Sequence, residues 1–180
     1  MRIWKGVLTG ILAASIIMSS LFIYAGYGTG TLIVEMIDPP DHWGPASQVY
    51  INYSAIMIHR ADAANESGWY TVDTAGSINL TSVLNVSKAI GQGPLQAGKY
   101  NVIRFNVTGA LVTVDGVNYT ATVASGKLNI PITRGGIQVN AGQTAYLIID
   151  ITPRVTGSED QGFKLVPAAK AISANQPFSA

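Results

Sequence analysis

Apolar and polar residues alternate along most of this chain, and the alternation predicts β-strands. In residues 100–107, for example, Ile103 and Phe105 fall on one face of an extended segment. Arg104 and Asn106 fall on the opposite face, which is the period-2 pattern of a half-buried strand. The same reasoning predicts about ten short strands, at residues 31–37, 48–59, 69–72, 100–107, 110–114, 117–123, 127–133, 136–139, 145–152 and 163–172.

Turn residues separate these runs. Asp115 and Gly116 tolerate the positive φ values of a type I′ turn, so they predict a hairpin between the strands on either side. Residues 92–94 and 97–99, which contain Gly-Pro and Gly-Lys, predict two further turns. Residues 77–89 predict a strand and one or two helical turns. Because long helical periodicity is absent beyond the N-terminal segment, we expect an all-β sandwich of two packed sheets.

The N-terminal segment has a different pattern. Residues 7–25 are uncharged and mostly apolar, and at about 1.5 Å per helical residue they reach roughly 30 Å, the thickness of a bilayer's hydrocarbon core. Arg2 and Lys5 precede this run and favour a cytoplasmic N-terminus. The sequence therefore predicts a membrane anchor or signal segment at residues 1–28, an extracytoplasmic domain at 29–172, and a fraying tail at 173–180.

Three fates of the N-terminal segment fit the sequence. It is an uncleaved anchor, or a cleaved signal whose small-residue site lies in residues 25–28, or a pilin-type precursor cut after Lys5-Gly6 whose apolar helix forms a filament core. Small residues that let membrane helices approach closely recur at four-residue spacing, at Gly6, Gly10 and Ala14. Membrane and signal segments are also rich in Gly and Ala in general, so this spacing does not separate the three fates.

Composition narrows the class of protein. The chain has 180 residues, which leaves room for one ordinary domain after the N-terminal segment. It has no Cys, which excludes disulfides, thiol catalysis and Cys-based zinc sites. Charged residues make up only 12% and the net charge is +1, so the sequence offers no basic surface for nucleic acid.

N-x-S/T triplets are the most specific motif in the chain. Six are present, where chance predicts about one or two. A polar β-protein is rich in Asn and Thr for other reasons, but the predicted topology places every triplet outside the membrane, where oligosaccharide transfer occurs. We therefore predict N-glycosylation at several of these sites, which are Asn52, Asn65, Asn79, Asn85, Asn106 and Asn118.

Few residues have a pattern that predicts metal binding. His42 and His59 lie in different predicted elements and are too few for a histidine cage, so we interpret them as structural. Asp38 and Asp41 flank two prolines and carry oxygen ligands suited to calcium, although turn formation is the commoner role of such residues. The sequence thus gives no firm metal site and no cofactor.

Asp150 is unusual because it interrupts an apolar strand. A carboxylate there needs a partner if it is buried, and Arg104, on the polar face of its own strand, is the candidate. On the alternative reading Asp150 faces solvent. No second carboxylate with catalytic spacing, no nucleophile elbow and no phosphate-binding loop accompanies it, so we predict no catalytic residues and no enzyme activity.

Several stretches together resemble the DUF4382 family, a domain of unassigned function found in exported proteins of archaea and bacteria. The resemblance implies an all-β domain of immunoglobulin or transthyretin type on an archaeal cell surface, and it carries no catalytic residues. This chain departs from it at Pro39-Pro40, where the family's loop has a single proline. The stretches are GTLIVEMIDPPD (30–41), AIMIHRADAANESGW (55–69), INLTSVL (78–84), AGKYNVIRF (97–105), ASGKL (124–128), DIT (150–152) and GFKLVP (162–167).

Taken together, these observations predict a non-catalytic, membrane-tethered and N-glycosylated surface domain. We expect it to act in binding, in adhesion, or as an extracytoplasmic accessory subunit of a membrane complex. It is extracellular instead if the N-terminal segment is cleaved. The alternative is a filament subunit, assembled like a pilin or by donation of the strand at residues 31–37 to a neighbouring copy. A hydrolase of surface glycans or peptides is the third reading.

Overall fold

The structure is a computed structural model that describes residues 28–37, 43–84, 86–123 and 125–178. It is all-β, with two short 3-10 turns, Asn65–Gly68 and Leu80–Val83. The described part contains twelve strands, which are β1 (Thr29–Ile37), β2 (Gln48–Arg60), β3 (Trp69–Asn79), β4 (Lys88–Gln96), β5 (Gly98–Val114), β6 (Val117–Val123), β7 (Lys127–Pro131), β8 (Ile137–Val139), β9 (Thr144–Ile151), β10 (Arg154–Ser158), β11 (Gly162–Val166) and β12 (Ala169–Ala174).

The strands form two open sheets. The small sheet has the order β12-β9-β1-β4, in which β1 is parallel to β9 and antiparallel to β4. The large sheet has the order β10-β11-β6-β5-β2-β3. β5 is long enough to pair with β8 and β7 along its first half and with β6 along its second half, on the side away from β2.

Both sheets bury one face against a shared core. Leu32 of β1 and Leu147 of β9 come from the small sheet, and Ile56 of β2 and Phe105 of β5 come from the large one. All four are at most 2% exposed, and they belong to one continuous hydrophobic cluster. The predicted all-β, sandwich-like arrangement is therefore confirmed. The predicted N-terminal helix lies outside the described residues.

The two sheets are also joined by hydrogen bonds at two places. On one side, the Thr133 amide donates to the Ala171 carbonyl of β12 at 2.8 Å. On the other, the Tyr53 hydroxyl lies 3.3 Å from the Ile90 carbonyl of β4. These hydrogen bonds link the two sheets in addition to the shared core.

The hairpin at Asp115 and Gly116 is confirmed. Asp115 has a φ of 49° and Gly116 a φ of 80°, and the turn joins the paired residues Val114 and Val117. Both central residues therefore have the positive φ that a type I′ turn requires.

The predicted turn at residues 92–94 is wrong, because these residues lie inside β4. Pro94 pairs with Thr31, and β4 is an edge strand of the small sheet. A proline is tolerated there because an edge strand needs ladder hydrogen bonds on one side only. Gly93 also fits for a spatial reason, since a Cβ at this position would lie 2.8 Å from the Val72 carbonyl oxygen of β3.

Other strand boundaries also differ from the sequence prediction. Residues 100–107 and 110–114, predicted as two strands, form the single strand β5, and the sequence did not predict β4 or β10. The single strand predicted at residues 163–172 is two strands, β11 in the large sheet and β12 in the small one. Pro167, between them, marks the point where the chain changes sheets. β12 also continues into the predicted tail, and the Phe178 amide donates to the Glu35 carboxylate of β1 at 2.9 Å. The described part of the tail therefore lies against the small sheet.

Candidate functional site

The outer face of the large sheet carries a group of polar and aromatic side chains around Arg104. Strand register produces it, because β3, β2, β5 and β7 lie side by side. One row across these strands contains Trp69, His59, Val102 and Pro131. The next row places Arg104 of β5 beside Asn129 of β7. We call Arg104, Asn129, Trp69, His59 and the neighbouring Glu66 the Arg104 cluster.

Arg104 is the centre of the cluster and is only 9% exposed. Its Nε donates to Asn129 Oδ1 at 2.7 Å, and its guanidinium carbon lies 3.7 Å from the centroid of the Trp69 ring. A cation held over an aromatic face in this way gains about 0.5–2 kcal/mol. The amide and the indole therefore fix the plane of the guanidinium.

Glu66 provides the one ion pair of Arg104 among the described residues. Its Oε2 accepts from Arg104 Nη1 at 3.3 Å, and the Glu66 side chain is 76% exposed. The hydrogen bond from Arg104, and then its charge, lower the pKa of the Glu66 carboxyl below its usual value of 4.5. Glu66 is thus ionised at neutral pH, but an exposed pair of this kind contributes little to stability.

Trp69 is positioned by the preceding residue, Gly68, whose backbone passes close to Ala63 and His59. Gly68 ends the 3-10 turn that carries Glu66, and a Cβ at Gly68 would contact Ala63 Cβ and would lie 2.9 Å from His59 Nε2. Only glycine lets the turn pass this close to His59. The His59 and Trp69 rings then meet edge to face, with centroids 4.9 Å apart. Trp69 Nε1 is buried and has no hydrogen-bond partner among the described residues.

The cluster lines a shallow, open depression of about 620 Å³. Asn101, Val102 and Pro131 complete its walls. Among the described residues, Glu66 is the single carboxylate that lines the depression. In the described part of the chain, no group of three His, Asp or Glu side chains lies close enough to hold a metal ion. The chemistry that this arrangement supports is binding through charge and hydrogen bonds.

Two of the stretches that carry the family resemblance supply residues of this cluster. Residues 55–69 supply His59, Glu66 and Trp69, and residues 97–105 supply Arg104. A family model described as a domain of unknown function, DUF4382, matches residues 29–167. The chain belongs to the DUF4382 family. No curated protein and no solved structure matches it.

The DUF4382 match covers most of the sandwich but not all of it. It begins at the first residue of β1 and ends at residue 167, so it includes the whole Arg104 cluster. β12, the edge strand of the small sheet, lies after the match. In this chain the DUF4382 domain is therefore completed by a strand from outside the matched residues.

Arg104 and Asp150 do not form the predicted pair. Asp150 lies on β9 of the small sheet, and its Oδ2 accepts from Lys170 Nζ at 2.7 Å. Each residue alternates with core side chains, Ile103 and Phe105 for Arg104, so the two point away from each other on opposite outer faces. Asp150 Oδ1 is buried and has no hydrogen-bond partner among the described residues.

Sequence reasoning missed the true partners of Arg104. Glu66 lies in a loop that the periodicity does not place, and Asn129 becomes a neighbour only through the pairing of β5 with β7. Trp69 was the one residue whose pattern indicated a contact, because a large aromatic side chain beside a Gly at the start of a strand often packs closely against a neighbour. This pattern does not show that the neighbour is Arg104.

Two of the sequon amides have contrasting surroundings. Asn118 is exposed, beside the β5–β6 turn, and its Oδ1 accepts from Thr113 Oγ1 at 2.7 Å. Asn79 is half-buried, and its Oδ1 accepts from the Thr81 amide at 3.0 Å, where it caps the second 3-10 turn. A glycan on Asn118 would stand in solvent. Asn79 Nδ2, the atom to which a glycan is attached, already donates to the Tyr50 hydroxyl at 3.2 Å, so a glycan there would disturb that hydrogen bond.

The structure describes three of the other four sequon asparagines. Asn52 is half-buried on β2, as is Asn106 on β5. Asn106 Oδ1 is buried and has no hydrogen-bond partner among the described residues. Asn65 begins the first 3-10 turn. Asn85 lies outside the described residues.

Several other predictions also fall outside the described residues. They concern the calcium ligands Asp38 and Asp41, and the helix-packing positions Gly6, Gly10 and Ala14. Within the part of the chain that is described, no helix is both long enough and apolar enough to cross a membrane.

Proposed function

We propose that this DUF4382 chain is a non-catalytic binding domain on an archaeal cell surface. The apolar residues 7–25 tether it to the membrane, the sequons carry N-linked glycans, and the sandwich is of immunoglobulin or transthyretin type. The Arg104 cluster is the binding surface. The observation that carries this proposal is a nearly buried guanidinium on an outer sheet face, whose one described counterion is a largely exposed carboxylate.

A structural role alone does not account for this arrangement. Removing a cation from water is costly unless the cation is well paired, and the exposed Glu66 pair recovers little of that cost. The Asn129 and Trp69 contacts fix the guanidinium without neutralising it. A positioned, incompletely paired cation in an open depression is a typical recognition site for an anionic group.

The position of the cluster favours a partner within the cell envelope over adhesion to a distant surface. The Ala61 amide, in the loop that leads to Glu66, donates to the Lys99 carbonyl at 2.8 Å. The Ala97 amide donates to the carbonyl of Gly28, the first described residue, at 2.7 Å. The cluster therefore lies toward the end of the domain where the N-terminal segment joins it, as expected for an accessory subunit of a membrane complex.

Surface labelling tests the location. The chain has no Cys, so Lys164→Cys, at an exposed position of β11, would be its single thiol. We expect a membrane-impermeant maleimide to label this variant on intact cells and the protein to fractionate with membranes. Ala171→Cys, at a position that is 0% exposed, is the matched control and should react only after denaturation.

Two results would contradict this proposal. Labelling of Lys164→Cys only after lysis would place the domain inside the cell. An intact mass equal to that of the bare 18.9 kDa polypeptide would exclude glycosylation. Glycopeptide analysis should otherwise find a glycan at Asn118, where the exposed turn leaves it room.

One observation favours the filament alternative as a second candidate. β1 is the first strand of the described chain, yet it lies between β9 and β4 in the middle of the small sheet. Its Leu32 and Val34 are 0% exposed. A terminal strand that completes the core in this way is the kind of element that one subunit can donate to the next.

Cysteine pairing separates donation from self-pairing. Ile33 of β1 opposes Gln92 of β4 in antiparallel register. If β1 stays in its own chain, the double variant Ile33→Cys/Gln92→Cys should form an internal disulfide and migrate as a monomer. A mixture of the single variants Ile33→Cys and Gln92→Cys should then form few disulfide-linked dimers. A mixture of Ile33→Cys and Lys164→Cys measures the background of random cross-links, and the first mixture should not exceed it. A ladder of cross-linked chains from the double variant would instead support strand donation.

A further inference from the structure

We infer that the Arg104 cluster recognises the carboxylate of a uronic acid residue in an acidic polysaccharide. This inference rests on the proposed binding function and names its ligand class. Three features carry it: the free donors of Arg104, the weak hold of Glu66, and the chemistry of the surrounding walls.

The described side-chain contacts of Arg104 use only some of the N–H groups of its guanidinium. A guanidinium carries five N–H groups in a rigid fork that matches a carboxylate. The described side-chain contacts engage Nε, which donates to Asn129, and Nη1, which donates to Glu66. Because the Trp69 ring already holds the plane of the group, a ligand carboxylate meets a donor edge whose orientation costs little further entropy.

Glu66 occupies the place that a ligand carboxylate would take. Its contact with Nη1 is long, at 3.3 Å, and its side chain is 76% exposed. An exposed pair of this kind contributes little to stability because solvent screens it. An incoming carboxylate can therefore displace Glu66 at small cost, and Glu66 acts as a competitor that weakens the site for anions.

The walls of the depression suit a sugar ring. Asn101 and Asn129 are exposed, and their amides can both donate to and accept from hydroxyl groups. Val102 and Pro131, adjacent in register, form an apolar strip against which the C–H face of a ring can lie. The volume of about 620 Å³ falls within the range of about 300–1,000 Å³ that small-ligand sites occupy.

The same geometry disfavours an acidic peptide. Peptides commonly bind by adding a strand to a sheet edge. Here Arg104 and His59 lie on the inner strands β5 and β2, since β2 pairs with β3 and β5, and β5 pairs with β2 and β7. The backbone groups of β2 and β5 are already used on both sides, so at Arg104 only side chains are offered to the ligand.

Trigalacturonate and its methyl ester form a matched pair of probes. We expect the full-length chain to bind trigalacturonate in isothermal titration calorimetry, and the uncharged methyl ester to bind at least tenfold more weakly. Glu66→Gln should tighten trigalacturonate binding severalfold, because it removes the competing carboxylate. Glu159→Gln, on the β10–β11 turn across the large sheet, makes the same change in net charge and should leave the affinity within about twofold.

Two further variants locate the site. Arg104→Gln should weaken trigalacturonate binding at least tenfold, whereas Arg154→Gln, on exposed β10, should have little effect. Because Arg104→Gln affects a nearly buried residue, Asn101→Ala provides a second variant at an exposed position, and it should weaken binding about two- to fivefold with an unchanged melting temperature.

Three comparisons between probes or variants would overturn the inference. They are equal binding of the acid and its methyl ester, equal effects of Glu66→Gln and Glu159→Gln, and tighter binding of a poly-glutamate peptide than of trigalacturonate. Absence of binding to trigalacturonate in a chain that is labelled on intact cells would also overturn it. That last result would leave the proposed surface location in place, so the two proposals fail separately.

Discussion

Replacing Leu32 with Ala is expected to lower the free energy of unfolding by about 2–5 kcal/mol. Leu32 is 0% exposed on the central strand of the small sheet, and its neighbours in register are Gly93 and Ala145. Neither small residue can expand to fill the space that a shortened side chain leaves. The loss therefore includes both the transfer of apolar surface and the residual cavity. Urea denaturation of the full-length chain measures it.

Leu111→Ala is the matched control for this change. Leu111 is 41% exposed on the outer face of β5, so the same chemical change should alter the free energy of unfolding by no more than about 0.5 kcal/mol. Equal effects at the two positions would mean that β1 does not complete the core. If β1 comes from another copy, the unfolding midpoint should rise with protein concentration, because the exchanged strand then links folding to assembly.

Gly30→Ala is expected to cost about 1–3 kcal/mol of stability. A Cβ at Gly30 would lie 2.8 Å from the Gln143 carbonyl oxygen and would also contact the Asn140 carbonyl. Both groups belong to the backbone of the turn between β8 and β9, which hydrogen-bonds to β1 through the Thr31 amide and Gln143 carbonyl at 2.9 Å. Because backbone cannot rotate away as a side chain can, the start of β1 has to shift.

Gly109→Ala gives the corresponding control. Gly109 also lies inside a strand, β5, but a Cβ there would meet nothing within 4 Å. We expect this change to be neutral or to stabilise the chain by about 0.4–1 kcal/mol, since Ala reduces the entropy of the unfolded chain. Thermal unfolding of both variants compares them directly. A Gly30→Ala variant as stable as Gly109→Ala would show that the turn does not close on β1 as the structure places it.

The Arg104 cluster illustrates how a group of polar and aromatic side chains arises on the outer face of a sheet whose core is ordinary. Arg104 shares β5 with Ile103 and Phe105, and the period-2 pleat sends it outward while they fill the core. The residues that hold Arg104 come from a 3-10 turn and from two other strands. The fold therefore places Arg104 on the outer face of the sheet, and the side chains around it determine its hydrogen bonds and charge contacts.

The features that were predicted correctly depend on only a few neighbouring residues. The alternation around Ile103 and Phe105 identified a core strand, because which face is buried depends only on the period of the pleat. Asp115 and Gly116 identified a hairpin, because positive φ is a property of the residues themselves. The prediction at residues 92–94 failed because a Gly-Pro sequence is compatible with an edge strand, and edge position is not a local property.

The all-β class, the half-buried strands, the main hairpin and, through stretches such as residues 97–105, the family follow from the sequence alone. The partners of Arg104 and Asp150 follow from the tertiary structure. The strands of Arg104 and Asp150 lie in different sheets, so the two side chains do not meet. Arg104 instead contacts Trp69, Asn129 and Glu66. The physical reason is that strand order and register depend on the summed packing of both sheets, so no single stretch of sequence contains the information that brings distant side chains together.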